Sequence, residues 1–145
     1  MITIKEATHA HISNICEIEK EAFSDPWSQA SILNEIANEQ SIFLVATKED
    51  NTVVGYVSMR NVVNEGYINN IAVSKQYRGL SIGTMLILAL LNESDKIGIA
   101  ALTLEVRVSN AVAIKLYEKF GFETKGYRKN FYSNPSEDAA IMWKI

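Results

Sequence analysis

The sequence predicts an α/β protein built on a mixed, mostly antiparallel sheet of about seven strands with helices on both faces. Three observations carry this. Apolar runs at residues 42–46, 52–60 and 67–73 follow one another across short polar turns, which reads as an antiparallel meander. A helical stretch then separates Val73 from the next apolar run, Leu102 to Val106, and such a strand–helix–strand step implies a parallel crossover. Segments of helical period stand on both sides of the meander, two before it and two after it, so both faces of the sheet have cover.

Each element has its own signal. Residues 2–5 alternate weakly and read as a short strand. Residues 9–23 place Ile12, Ile15, Cys16, Glu19, Ala22 and Phe23 at helical spacing; five of the six are apolar, which makes an amphipathic helix. Ser24-Asp25-Pro26-Trp27-Ser28 breaks it, because proline cannot extend the helix and Ser28 suits the cap of the next. That second helix covers 29–38, with Ile32, Leu33 and Ile36 on one side. Lys48 to Asn51 and Asn64-Glu65-Gly66 are the turns of the meander. A helix from about Ser81 to Ser94 follows, then the strand Leu102 to Val106 and a helix from Ser109 to Phe120 that Gly121 stops. Strands at 122–127 and 139–143 complete the order, with no repeat, linker or low-complexity segment.

At 145 residues the chain suits a single domain spanning 1–145, large enough to fold without disulfide or metal staples. A net charge of -3 argues against a nucleic acid as the main ligand. One cysteine, Cys16, excludes an internal disulfide and a Cys-rich zinc site. The longest apolar run, Met85 to Leu91, is too short for a membrane span, and the polar N-terminus lacks a signal-peptide pattern, so a soluble cytoplasmic protein with no membrane partner is expected. Residues 1–100 carry a net charge of -5 and residues 101–145 a net of +2. Glu17, Glu19, Glu21 and Asp25 crowd one stretch, either as a solvated helix face or as an acidic rim for a cationic substrate. His9 and His11 do not share a helix face and read as surface residues without a metal role; Cys16 reads as core.

The stretch richest in chemistry runs from Tyr67-Ile-Asn-Asn-Ile71-Ala72-Val73 through Arg78-Gly79-Leu80-Ser81-Ile82-Gly83-Thr84. A strand enters a loop with small residues, and the loop becomes a helix. Free N–H groups and the positive dipole end make such a helix start a phosphate site; the same glycines also serve a turn of purely structural purpose. Neither the P-loop pattern nor G-x-G-x-x-G is present. Glu105 interrupts an apolar strand, with Thr103 and Arg107 on its side and Leu102, Leu104 and Val106 on the other. A carboxylate there needs a salt bridge, to Arg107 or a nearby lysine, or a chemical use. Tyr117 shares the apolar spacing of Ala113, Ile114 and Phe120 and from that spacing alone reads as core, and Asn110 reads as a helix cap.

These motifs resemble the GNAT family of acyl-CoA N-acyltransferases, whose signature at this turn is Arg/Gln-x-x-Gly-x-Gly/Ala. Of the two registers, Gln76 to Ser81 and Arg78 to Gly83, the second keeps the spacing from the Ile71 to Val73 strand end, and it puts Ser81 where the family usually has glycine. Glu19 to Ser28 (EKEAFSDPWS), Leu104 to Arg107 (LEVR), Ser109-Asn110-Ala111, Leu116-Tyr117-Glu118, Gly121-Phe122 and Arg128 to Tyr132 extend the likeness over nearly the whole chain, toward the RimI group that acetylates the N-terminal alanine of a small-subunit ribosomal protein. The resemblance implies the GNAT fold, acetyl-CoA as co-substrate and no metal. It implies Glu105 as general base and Tyr117 as general acid. Ile71, Ala72, Val73, Arg78, Gly79, Leu80, Ser81, Ile82, Gly83, Thr84, Asn110 and Tyr117 are implied to meet CoA, and Trp27 and Tyr132 either line a peptide channel or pack. The implied partner is the N-terminal segment of a protein. Another amine acceptor (a different N-terminus, a lysine, a small polyamine) and a non-catalytic CoA-binding module are the alternatives; retention of both Glu105 and Tyr117 speaks against the module.

Overall fold

Valine- and isoleucine-rich runs in the middle of the chain leave little choice but a sheet buried on both faces, and the computed structural model, which describes residues 1–145, shows one. Its strands are β1 (Thr3–Glu6), β2 (Ser41–Thr47), β3 (Val53–Val62), β4 (Glu65–Val73), β5 (Ala101–Arg107), β6 (Glu123–Tyr132) and β7 (Glu137–Lys144). They form a seven-stranded sheet in the order β1-β2-β3-β4-β5-β7-β6. Only the β4–β5 pair is parallel; every other neighbouring pair is antiparallel. The helices are α1 (Ile12–Ala22), α2 (Gln29–Ala37), α3 (Ile82–Lys96) and α4 (Ala111–Lys119). The expected fold class, element order and crossover all stand. None of the helices is long and apolar enough to cross a membrane.

Each sheet face carries its own core. On one, Ile12, Ile15, Ile18 and Ile32 from α1 and α2 pack on Phe43, Val45, Val53, Tyr56 and Ala72. On the other, Ile82, Leu86, Ile87 and Leu90 of α3 and Tyr117 of α4 pack on Val57, Met59, Ile68, Leu104, Val106 and Met142. Ser28 caps α2 by accepting from the Ser31 N–H at 3.1 Å, and Asn110 Oδ1 caps α4 by accepting from Ala113 N–H at 3.2 Å.

Several readings of single residues need correction. His11 is not a surface residue: it is buried, its Nδ1 accepting from the Thr8 N–H at 2.9 Å, which satisfies a polar group at the start of α1. Glu19 belongs to neither a solvated face nor a rim, because helical periodicity sets it on the inward stripe and it is 1% exposed. In α2 Ile32 and Glu35 are buried and Ile36 packs half-buried on the same core as expected, while Leu33 is 37% exposed. β6 runs on to Tyr132, five residues past its expected end, because a register shift between Arg128 and Tyr132 lets it rejoin β7 at Glu137.

Candidate active site

β4 is the strand that opens the sheet. It pairs with β5 only through Glu65, Gly66 and Tyr67, opposite Ala101, Leu102 and Thr103; beyond that point β5 stays with β7 while β4 continues beside β3. The β4 backbone after Tyr67 therefore has no strand on one side. A bulge in the same stretch breaks the pairing with β3: Ser58 faces Asn70 and Met59 faces Ile68, leaving Asn69 without a partner. Two adjoining cavities fill the opening, and both are lined by Ala22, Phe23, Ile71, Asn110 and Ala113.

The larger, about 730 Å³, is a groove over the start of α3. Ile71, Ala72, Val73, Arg78, Gly79, Ser81, Ile82, Gly83, Thr84 and Asn110 all line it; of the residues expected to meet CoA, Leu80, 62% exposed, and Tyr117, which lines the adjoining cavity, stand outside. The first-turn N–H groups of α3 have no carbonyl one turn back, and Ile82, Gly83 and Thr84, which carry them, line this space. Gly79 (φ 82°) and Ser81 (φ 64°) both hold the left-handed backbone that turns the chain into the helix. Glycine takes that conformation freely; serine is strained in it. The Ser81 side chain makes no capping bond, so its hydroxyl does not cap α3. Gly83 has a different purpose: a Cβ there would sit 3.3 Å from Leu116, so its absence lets α4 approach. Arg78 reaches back, its Nε donating to the Val73 carbonyl at 3.1 Å. Lys115 and Lys119 of α4 line the same groove. A cleft with a helix N-terminus, an arginine and two lysines fits an extended polyphosphate ligand such as CoA.

The second cavity, about 390 Å³, joins Trp27 and Phe23 of the α1–α2 side to Tyr67, Asn69, Asn70, Glu105, Arg107, Tyr117 and Tyr132. The Glu105 side chain is 7% exposed and has both oxygens occupied: Tyr67 donates its hydroxyl to Oε1, and Arg128 Nε lies 2.6 Å from Oε2. The expected partner Arg107 is elsewhere, paired with Glu137 at 3.2 Å and stacked on the Tyr132 ring at 4.5 Å. Arg107 and Glu105 share a strand face, but Glu137 is nearer to Arg107 on β7, and the β6 extension brings Arg128 over Glu105. Tyr117 is buried against Phe122, and burial pushes its hydroxyl well above the ordinary phenol range. Burial does the same to Tyr67, with help from its bond to Glu105, and pushes Tyr132 up to about 12.

Thus the structure brings Glu105 and Tyr117 to one cavity and places Trp27 and Tyr132 in its wall, and Asn110 and Ile71 stand where that cavity meets the groove. Sequence reasoning missed Tyr67, Arg128, Asn69 and Asn70 around Glu105, and Lys115 and Lys119 along the groove. The lysines had a readable signal, a four-residue spacing that sets both on one face of α4. Arg128 falls in the Arg128 to Tyr132 stretch of the family likeness, but it lies 23 positions from Glu105 and past the expected end of its strand, so nothing local paired the two.

A model of the Acetyltransferase (GNAT) family matches residues 12–122. A Bacillus subtilis relative, provisionally named a ribosomal protein bS18-alanine N-acetyltransferase, is 36% identical over 132 residues, covering 91% of this chain and 87% of its own. The crystal structure of the ribosomal-protein-S18-alanine N-acetyltransferase from Escherichia coli superposes with a TM-score of 0.91 at 33% identity, covering 99% of this chain and 93% of that one. Arabidopsis thaliana NAA60, solved in complex with acetyl-CoA, has a TM-score of 0.90 over 99% of this chain and 97% of its own, and at 17% identity it shares the fold.

Proposed function

The chain belongs to the GNAT family of acetyltransferases, and we propose that it transfers the acetyl group of acetyl-CoA directly to the N-terminal alanine of a small-subunit ribosomal protein in the cytoplasm. The observation that carries this reading is the junction of the two cavities. The groove that fits CoA and the cavity that holds Glu105 and Tyr117 share Ile71, Asn110 and Ala113, so a thioester laid along β4 ends beside both side chains.

Acetyl-CoA supplies the activated acetyl group, and the residues of this chain do the rest. Backbone groups of Ile71 to Val73, which β5 leaves unpaired, hold the extended arm and offer an N–H to the carbonyl oxygen as charge develops there. Glu105 accepts the proton of the attacking amine, directly or through one water. Arg128 and Tyr67 hold its carboxylate in place. Tyr117 donates to the departing sulfur. Its hydroxyl is a weaker acid than a thiol of pKa about 8.5, so it acts by hydrogen bonding to the thiolate and is itself protonated at every working pH.

Proton arithmetic favours an α-amine. With a pKa near 7.7–8.0, roughly a tenth of it is neutral at pH 7, whereas a lysine near 10.4 is neutral about once in several thousand molecules. A single carboxylate suits the first acceptor and offers no device for the second. The test is a peptide pair, one with a free N-terminal alanine and no lysine, the other with a blocked N-terminus and an internal lysine. Acetylation of the alanine peptide alone is expected; equal or faster modification of the lysine peptide overturns the α-amine assignment.

A further inference from the structure

We propose that Asn69 and Asn70 form an acceptor-binding pair, holding N–H groups of the incoming peptide, and that buried Glu35 and Glu19 orient them for it. The proposal rests on the peptide-acceptor reading above.

The β4 bulge suspends the usual alternation, so two consecutive side chains both meet the α1–α2 layer. Asn70 Nδ2 donates to Glu19 Oε1 at 3.0 Å, and Asn69 Nδ2 donates to Glu35 Oε2 at 3.2 Å and to Ser58 Oγ at 3.2 Å. Glu35 is itself fixed, by Arg60 and by the Ser41 hydroxyl at 2.6 Å. A carboxylate only accepts, so each glutamate draws the amide nitrogen toward the helices and turns the carbonyl oxygen away from them. Neither Oδ1 has a hydrogen-bond partner. Neither is among the buried unpaired side-chain atoms, which are Glu19 Oε2, Tyr56 Oη and Arg60 Nε. Both asparagines line the cavity that holds Glu105 and Tyr117. Two oriented, unpartnered carbonyl oxygens therefore stand on its wall.

That chemistry matches the start of a peptide, which brings an ammonium and then an amide N–H. It also suits the reaction. A carboxylate so placed would hold the amine charged, whereas a neutral carboxamide positions it with a smaller upward pull on its pKa. Two glutamates placed inside a hydrophobic layer make sense as orienting groups: an unpaired buried carboxyl oxygen, as at Glu19, costs stability, and the other oxygen of that carboxyl holds Asn70.

The experiment is steady-state kinetics of the full chain with acetyl-CoA and an alanine-starting peptide. Asn69→Ala and Asn70→Ala should each raise the peptide KM by about tenfold, with the acetyl-CoA KM within about twofold. Two modified peptides sharpen this, one with an N-methylated first residue and one with an N-methylated second amide. At least one should lose about tenfold with the wild type and much less with an Asn variant. Glu19→Met, which cannot anchor Asn70, should shrink the same penalty, an effect that a role in stability alone does not produce. Where an alanine variant fails to bind acetyl-CoA, the serine variant replaces it. Unchanged peptide KM in both Asn variants, or methylation penalties equal in variants and wild type, overturns the proposal while leaving the α-amine reading intact; failure of the wild type on every α-amine peptide removes the reading itself.

Discussion

The groove proposed for the cofactor and the cavity proposed for the acceptor share a wall but are built in opposite ways. The groove is almost all local: strand end, turn and helix start are contiguous from Ile71 to Thr84, and backbone geometry does most of the work. The acceptor cavity draws Trp27, Asn70, Glu105, Tyr117 and Tyr132 from distant parts of the chain and depends on charges inside the fold, Glu19, Glu35 and the Glu105–Arg128 pair among them. A site made of local backbone tolerates side-chain change. A site assembled from buried polar groups depends on each of them.

Chemistry gives the largest test of that contrast. Glu105→Gln and Tyr117→Phe should each lower the acyl-transfer rate by about 10²–10⁴-fold while acetyl-CoA affinity stays nearly intact. Coupled thiol release and equilibrium binding read the two halves separately. Wild-type turnover in both variants would leave these residues structural and erase the distinction. Arg78→Ala should do the reverse with a smaller effect, weakening acetyl-CoA binding by about tenfold and saturated turnover by less, because it removes one cation and the brace on the Val73 carbonyl. An unchanged acetyl-CoA dissociation constant would count against Arg78 as part of the groove.

The same contrast explains what was legible in the sequence. Gly79, Ser81 and Gly83 announce the groove within a few residues, because the turn takes a left-handed backbone at the first two and α4 packs closely on the third. Strand alternation gave the face of Glu105 correctly, with Leu104 and Val106 opposite. Its partner could not be read, since Arg128 arrives through a register shift in β6 that no local pattern marks. Glu19 was misjudged because composition assigns carboxylates to solvent, although its helical spacing already pointed inward. The bulge at Asn69 is invisible for a further reason: it concerns pairing between strands, and the alternation within β4 does not locate it.

Glu19 also gives a pH test of the acceptor side. Burial raises its pKa above the ordinary carboxylate range, and the Asn70 amide bonded to Oε1 offsets part of the effect, as do the nearby Tyr56 hydroxyl and Trp27 backbone. The folded state then holds the Glu19 proton more tightly than the unfolded chain. Its stability contribution is fully present below the unfolded pKa of about 4.3 and is lost as pH rises through the raised folded value. Glu19→Gln removes that loss. The variant should gain Tm relative to wild type between pH 4 and pH 7, by about 2–4 °C for each kcal/mol involved. A gap that does not change with pH would mean the carboxyl titrates as it does in water.

Ser81→Gly should have the smallest effect, and it probes how far the groove depends on backbone alone. Serine at φ 64° is strained, and its hydroxyl makes no bond to the helix it precedes. Glycine relieves the strain, which in such positions is on the order of 1–3 kcal/mol, but loses more entropy on folding, roughly 0.5–1 kcal/mol. The balance favours the variant slightly, so thermal melting should show a modest gain in stability. The acetyl-CoA dissociation constant should move by no more than about tenfold, or roughly 1.4 kcal/mol, because the N–H groups of Ile82, Gly83 and Thr84 keep their aim. Complete loss of binding would make the Ser81 hydroxyl a direct ligand of the phosphate. The groove would then depend on a single polar side chain as the acceptor cavity does, and the contrast between the two halves of the site would fail.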